Sequence, residues 1–512
     1  MSNKTSNQLF ELIKSLSKSE KRYFKLYASR HTIGEQNNYV MLFDYVDGLN
    51  QYDEDKLFKH FKNKAFLNQF STTKSRLYQL ILKSLDLFHS SNSIEAQLNA
   101  NIHSADILFN KGLYKQAEKL YKQAEKLALK HHLEPILLNI KQKTKKLYEK
   151  EMYIGLTNQS ISDLYTKEQQ ICNSINLYNF LWKSKSLLFI KINQIGNVRT
   201  QNEITELEQI INPIKQINID YQNNQIQYLF HHIFSTYYFT IYNYKKSYYH
   251  LKLNLQLIKK DIHFLKQNFN SYFSVLTNLI YVCTKLEYYD EANQFLNHLK
   301  SLPQSKYYKN TTDIDVKYFS SKYSLELFLN IEQNNFQKAE VVISDIQEFY
   351  LNYDKKINGI RKAYIDFKIA TVYLSQNKFK EALKWINFII NDKALDKRQD
   401  IYSFAKIIHL IIHFELKNYR YLNYALTSTK RFLKDKKRLY KFEELFLKLI
   451  SKLSKQELNQ FDLEEILTPF LAEVELLKQN NFEKTAFEYF DFYTWIKGKI
   501  DGKTYLELKM VS

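Results

Sequence analysis

His409 and His413 stand four residues apart, a spacing that could do chemistry. On a helix it puts two imidazoles on one face, as a metal pair requires. No HExxH pattern surrounds them and no cysteine stands near, while Glu415, two residues on, points elsewhere. Set against a turn at Tyr419, both fall where one helix packs on another, so they are expected to be packing histidines. His131-His132 and His231-His232 are adjacent pairs, which a helix cannot aim at one ion. Gly498-Lys-Ile-Asp-Gly502-Lys503-Thr504 looks like a phosphate-binding loop but is one residue short between its glycines. It also follows no parallel strand and lacks the βαβ context such a loop needs. No nucleophile elbow, dinucleotide fingerprint or Cys–His pairing appears. The expectation is a protein with no catalytic residues, no metal and no cofactor, hence not an enzyme.

Basic residues raise a second kind of chemistry. Ser71-Thr72-Thr73-Lys74-Ser75-Arg76 opens a helix that follows a helix over Asp53–Lys64 and a connection through Phe66–Phe70. Those are helix-turn-helix proportions, and Thr73, Lys74 and Arg76 are the candidate DNA contacts. Against them, the connection has no glycine, and Leu80, Leu82 and Leu87 make the second helix apolar nearly all round, as suits a buried packing helix. The net charge of +20 points the same way as the motif, but only nine of the 74 basic residues are arginine. Base and phosphate recognition favours arginine's planar fork, so solvated lysine faces explain the charge better.

The elements that must position these residues are legible from composition. Eight glycines and four prolines stand against 40 tyrosines and 36 phenylalanines. Tight turns and loop-built sites need the backbone freedom of glycine, so a chain this poor in it must be helices on short connections. No apolar run approaches 18 residues; the densest, Ile407–Phe414, is broken by its two histidines. Residues 1–22 are polar and amphipathic without a signal-peptide core. Cys172 and Cys283 fit no disulfide or metal spacing. A soluble, cytoplasmic protein without membrane contact is expected.

Ser17 and Glu20 form a capping-box pattern that opens a helix through about Ser29. Further helices are expected over 38–47, 53–64 and 71–89, the last with Leu77, Ile81, Leu85 and Phe88 on one stripe. Residues 1–90 therefore form an N-terminal helical group. From about 91 the chain repeats. Gly112-Leu-Tyr114-Lys-Gln-Ala117, continued by Tyr121 and Ala124, reads as the centre of a helical hairpin, with Ala105 the small residue at the crossing. Weaker echoes start at Tyr244, Tyr289, Phe336, Phe379, Tyr419 and Phe482, with Ser247, Ala292, Ala339, Ala382, Leu422 and Thr485 three residues on. The spacings from Tyr244 to Tyr419 are 45, 47, 43 and 40 residues, longer than the roughly 34 of a standard repeat. Asn334-Asn335, Asn377, Asn418 and Asn480-Asn481 stand where glycine would cap a first helix. About three further units are expected between Tyr114 and Tyr244, with turns near Thr157 and Gly196.

This order of small and aromatic residues resembles the tetratricopeptide-repeat (TPR) family, over most of 91–495. The resemblance implies an all-α solenoid of long TPR-like hairpins, ended by an acidic cap after Glu443. A tail from 496 to 512 follows, expected as a turn and a short strand. It further implies a groove lined by the first helix of each hairpin, which holds a protein or peptide partner. On that register the groove residues are Asn99, His103, Asp106 and Asn110 in the first unit. Later units place Thr236, Thr277, Tyr281, Ser321, Ser324 and Phe328 there, followed by Lys368, Thr371 and Ser375. A protein- or peptide-binding scaffold is the leading expectation; a transcriptional regulator with DNA-binding N-terminal helices and a ligand-sensing solenoid is the alternative. Lys430, Lys434, Lys437 and Lys441 are expected on one face of a single helix, neutralised by the acidic helices that follow.

Overall fold

The computed structural model describes residues 7–30, 37–62, 64–90, 93–219, 223–308, 312–392, 399–454 and 459–511. Among the described residues there are helices and no strand. The chain divides into two compact units, 1–173 and 174–512.

The first unit opens with α1 (Gln8–Ser15), α2 (Lys18–Ser29), α3 (Asn38–Gly48), α4 (Glu54–His60) and α5 (Phe70–His89). The capping box at α2 is formed: the Ser17 side chain accepts from the Glu20 amide, and the Glu20 carboxylate accepts from the Ser17 amide. Phe24, Leu42, Phe43, Leu77 and Ile81 are buried together in this group. Helix α5 is less buried than expected, because Leu82 and Leu87 face solvent. The hairpin α6 (Ile94–Asn110) and α7 (Tyr114–Lys130) follows, with Ala105 and Ala117 both fully buried. Alanine at both positions lets two helices approach closely enough to bury Tyr121 and Ala124 as well.

Helix α8 (Glu134–Lys150) leads into α9 (Asn158–Ile195), 38 residues without a break. The turns near Thr157 and Gly196 are therefore the two ends of one helix. The three hairpins expected there are not formed, since nothing between them supplies a stop signal. The point where the two units divide falls inside α9.

The second unit continues through α10 (Gln201–Lys215), α11 (Asn224–Thr240), α12 (Tyr244–Lys260) and α13 (Ile262–Gln267). Next come α14 (Phe269–Lys285), α15 (Tyr289–Ser301), α16 (Thr312–Glu332), α17 (Phe336–Tyr353), α18 (Gly359–Ser375) and α19 (Phe379–Asn391). Then follow α20 (Gln399–Glu415), α21 (Tyr419–Asp435), α22 (Lys441–Leu453) and α23 (Gln460–Gln479). A 3₁₀ segment (Glu483–Glu488), α24 (Phe492–Asp501) and α25 (Tyr505–Val511) complete it. The aromatics Tyr244, Tyr289, Phe336, Phe379 and Tyr419 each begin the second helix of a hairpin. Ser247, Ala292, Ala339, Ala382 and Leu422, three residues on, are all buried.

One backbone device closes every first helix. The residue two before the aromatic is left-handed: Gly112, Tyr242, Glu287, Asn334, Asn377 and Lys417, with φ between 57° and 77°. The next amide then reaches back five residues to a carbonyl, as Lys378 N does to Tyr373 O at 2.8 Å and Asn418 N to His413 O at 2.9 Å. This is the Schellman closure. Asparagine fills the left-handed position at 334 and 377 as expected. At the Tyr419 turn Lys417 takes it instead, and Asn418 sits at the helix start. At Asn480 the backbone stays extended, so Phe482 and Thr485 open a 3₁₀ segment and not a second helix.

Three further expectations are corrected. The tail is helical, because Gly502 turns the chain from α24 into α25 and no strand forms. Lys430 and Lys434 belong to α21, which ends at Asp435; Lys437 is left-handed and Lys441 opens α22, so the four lysines do not share one helix face. The acidic end is split: Glu464, Glu465, Glu473 and Glu475 are solvated on α23, whereas Glu443 and Glu483 are buried.

Candidate functional site on the first-helix face of the second unit

The hairpins α11–α12, α14–α15, α16–α17, α18–α19 and α20–α21 present their first helices to a common face. A cavity of about 510 Å³ lies there, lined by side chains from α11, α14, α16, α18 and α20. Thr236, Thr277, Tyr281, Ser321, Ser324 and Lys368 all line it, so helical register alone brought these expected groove residues together. Phe328 is buried behind the wall, its ring stacked on Tyr281 at 4.4 Å. Thr371 and Ser375 are buried without lining the cavity; the Thr371 hydroxyl donates to the Lys368 carbonyl at 2.8 Å. The groove residues expected in the first unit have surroundings of their own. Asn99, His103 and Asn110 are exposed, and Asp106 accepts from the Tyr121 hydroxyl and from Lys143, each at 2.6 Å.

The chain's own segment 482–490 crosses the same face. Glu488 pairs with Lys285, which also meets Glu332 at 3.1 Å. Its carboxylate accepts from Tyr244, and its carbonyl lies 3.5 Å from Lys368 Nζ. Tyr489 stacks on Phe404 at 4.0 Å and donates to Asp400 at 2.9 Å, while Asn197 donates to the Tyr489 hydroxyl at 3.0 Å. Thr485 donates to the Val198 carbonyl. A buried ion cluster anchors the segment's start: Arg199 donates both Nη groups to Glu443 at 2.9 and 3.0 Å, and Nη2 also to Glu483 at 2.9 Å. Tyr440 covers the guanidinium, 4.3 Å from its ring centre. Glu443, Glu483 and Glu488 thus pair with Arg199 and Lys285, whereas the expected contact was between the lysine run and the acidic helices.

Charge inside the cavity is tuned by burial. Lys368 is pushed down to about 8, chiefly by desolvation and then by the positive charge of Lys285. Tyr364, on the same stripe of α18, has a buried hydroxyl beside that of Tyr281. Arg361, two turns before Lys368, donates to the hydroxyls of Ser320 and Ser321, both at 3.1 Å. Neither Arg361 nor Tyr364 stood out in the sequence; the helical interval of seven from Lys368 was the signal that could have found Arg361.

The remaining candidate residues have ordinary partners. His409 and His413 are buried, Nε2 to Nε2 at 3.0 Å, and pack against Tyr421 of the partner helix as expected. Among the described residues no group of three or more metal-binding side chains converges. Thr73 is buried and donates to the Gln69 carbonyl at 3.1 Å. Lys74 is held by Glu54 at 3.1 Å and Tyr52 at 3.3 Å, over the Phe70 ring. Only Arg76 of the candidate DNA contacts faces solvent, because α5 turns the other two into its own helical group. No helix of the described residues is long and apolar enough to cross a membrane.

The repeated Schellman turns, the aromatic that opens each second helix and the small or apolar residue buried behind it define a TPR-like helical-repeat protein, an all-α solenoid with an N-terminal helical group. No family model matches the chain. It is 22% identical over 375 residues to Protein TIC 214 of Draba nemorosa, covering 70% of this chain and 19% of that protein. It is 23% identical over 215 residues to Protein Ycf2 of Physcomitrium patens, covering 39% of this chain and 9% of that one. The chain thus spans a minor part of the length of these relatives. Among solved structures it is similar to a signal-transduction ATPase with a tetratricopeptide-repeat sensor from Pyrococcus horikoshii, 14% identical, TM-score 0.32, covering 86% of this chain and 55% of that one. Yeast Tom70 is 13% identical with a TM-score of 0.20, covering 82% of this chain and all of that one. At these scores the hairpins themselves, and not the neighbours, carry the assignment of class.

Proposed function

We propose that the protein is a non-enzymatic scaffold that binds a segment of a protein or peptide partner on the first-helix face of its second unit. The observation that supports this reading is segment 482–490, a stretch of polypeptide already held on that face by Lys285, Tyr244 and Asp400. Hydroxyl side chains with scattered aromatics are suited to hydrogen-bonding a second segment beside it. The DNA-binding alternative loses support where Thr73 and Lys74 are occupied. Free thiols at Cys172 and Cys283 support a reducing, cytoplasmic setting.

Selection of unphosphorylated peptides from a displayed library against the full chain tests the reading. Selected peptides should bind at least tenfold more weakly to Ser324→Trp and Thr277→Trp, which fill the cavity. Binders indifferent to both substitutions in a folded chain would place recognition elsewhere and overturn it.

A further inference from the structure

Arg361 and Lys317 are two cations in the wall of one cavity, which also holds Lys356 and the carboxylate of Asp313. This second cavity, of about 540 Å³, adjoins the first, and the two share Ser324, Arg361, Tyr364 and Ile401 in their walls. Arg361 lies in the first turn of α18, whose positive dipole end adds to its charge. Lys317 reaches in from α16, with Asn270 Oδ1 at 3.3 Å and the Phe273 ring beneath it. Among the described residues no salt bridge is made by either cation. Arg361 is instead bonded to two serine hydroxyls, Ser320 and Ser321. Burial lowers the affinity of both cations for their protons, and Arg361's charge lowers that of Lys317 further. Like charges held this close in a partly desolvated wall are stabilised by an anion placed between them.

We propose that Arg361, Lys317 and Ser321 form a binding site for the phosphate group of a phosphate monoester, whose organic part enters the cavity beside Tyr281, Tyr364 and Lys368. A phosphate carries about −1.5 to −2 charges and three acceptor oxygens, which matches two cations and a hydroxyl better than a monovalent carboxylate does. Arginine supplies parallel N–H donors for two of those oxygens. The Ser321 hydroxyl accepts from Arg361 and keeps a proton to donate. The buried hydroxyl of Tyr364 and the ammonium of Lys368 lie farther along the same stripe, where oxygen atoms of the organic part would meet them. A volume near 510 Å³ is in the range of small-molecule sites. The site stands on the cavity and its charges, so failure of the peptide selection above leaves it intact.

Calorimetric titration of the full chain with inorganic phosphate, phenyl phosphate, benzoate and a phosphotyrosyl hexapeptide tests this. Phenyl phosphate should bind saturably, at least tenfold more tightly than inorganic phosphate. Arg361→Gln and Lys317→Gln should each weaken it at least tenfold. Ser321→Ala, a smaller change that keeps the fold, should weaken it about threefold, and Lys434→Gln on exposed α21 should leave it unchanged. Binding of phenyl phosphate without the phosphopeptide marks a free small molecule as the source, and binding of the phosphopeptide alone marks a phosphorylated partner; either supports the site. No saturable phosphate binding by the folded chain, equal binding by Arg361→Gln, or benzoate binding as tightly as phenyl phosphate would overturn it.

Discussion

Asp366 is buried on α18, where the Tyr350 hydroxyl donates to it at 2.9 Å. Burial pushes its pKa up to about 7. The folded chain therefore keeps a proton there that the unfolded chain releases near pH 4. Its contribution to stability is complete below pH 4 and is lost as pH rises to 7. Asp366→Asn, neutral at every pH, should match the parent at pH 4 and exceed its stability at pH 8 by roughly 1–3 kcal/mol, measured by urea unfolding. Equal stability at pH 8 would mean that the ionised carboxylate is better solvated than its burial implies. Residues of the site were legible in the sequence to the extent that a helix stripe is periodic. Thr277 and Tyr281, Ser321 and Ser324, and Lys368 fell where the register put them. Arg361 and Glu488 did not emerge, since an isolated charge in a chain rich in charge gives no local sign of facing inward. Thr73 and Lys74 misled for the same reason: a polar side chain can cap and pair inside a helical group as readily as it faces DNA.

At the scale of the helical hairpin, five aromatic turn residues sufficed to place five second helices, because a backbone closure recurs at each. Six of the left-handed positions carry residues as different as Gly112, Tyr242 and Glu287. A non-glycine residue there is strained by about 1–2 kcal/mol. Glu287→Gly should therefore raise stability by about 0.5–1 kcal/mol, while Asn334→Gly should change it little, asparagine being tolerant of that conformation. The comparison is direct by thermal denaturation; a destabilised Glu287→Gly would show that the Glu287 side chain contributes more than its backbone costs. In the first unit, Ala117→Leu should overpack the α6–α7 crossing and cost roughly 1–3 kcal/mol, with new protease cleavage near 110–115 and none in the second unit. Unaltered cleavage would mean the crossing has room to spare. Where the turn signals failed, α9 ran on for 38 residues, and at Lys437 a left-handed lysine ended what looked like one basic helix.

At the scale of the whole molecule, the second unit departs from the rule that repeats interact only with their neighbours. Arg199 joins residues 244 and 284 positions away along the chain. Arg199→Ala leaves Glu443 and Glu483 buried without their cation and should cost about 3–5 kcal/mol. The loss should be spread: hydrogen exchange should quicken from α11 to α20 together. Quickening confined to the α9–α10 turn would restore the neighbour-only rule. The same long closure has a consequence in time. During synthesis α20, the last helix of that face, leaves the ribosome at Glu415, 68 residues before Glu483. At about 5–20 residues per second, that interval is roughly 3–14 s. For that period every nascent chain displays the first-helix face without the segment that will cross it, and a molecule that meets it then has no internal competitor to displace.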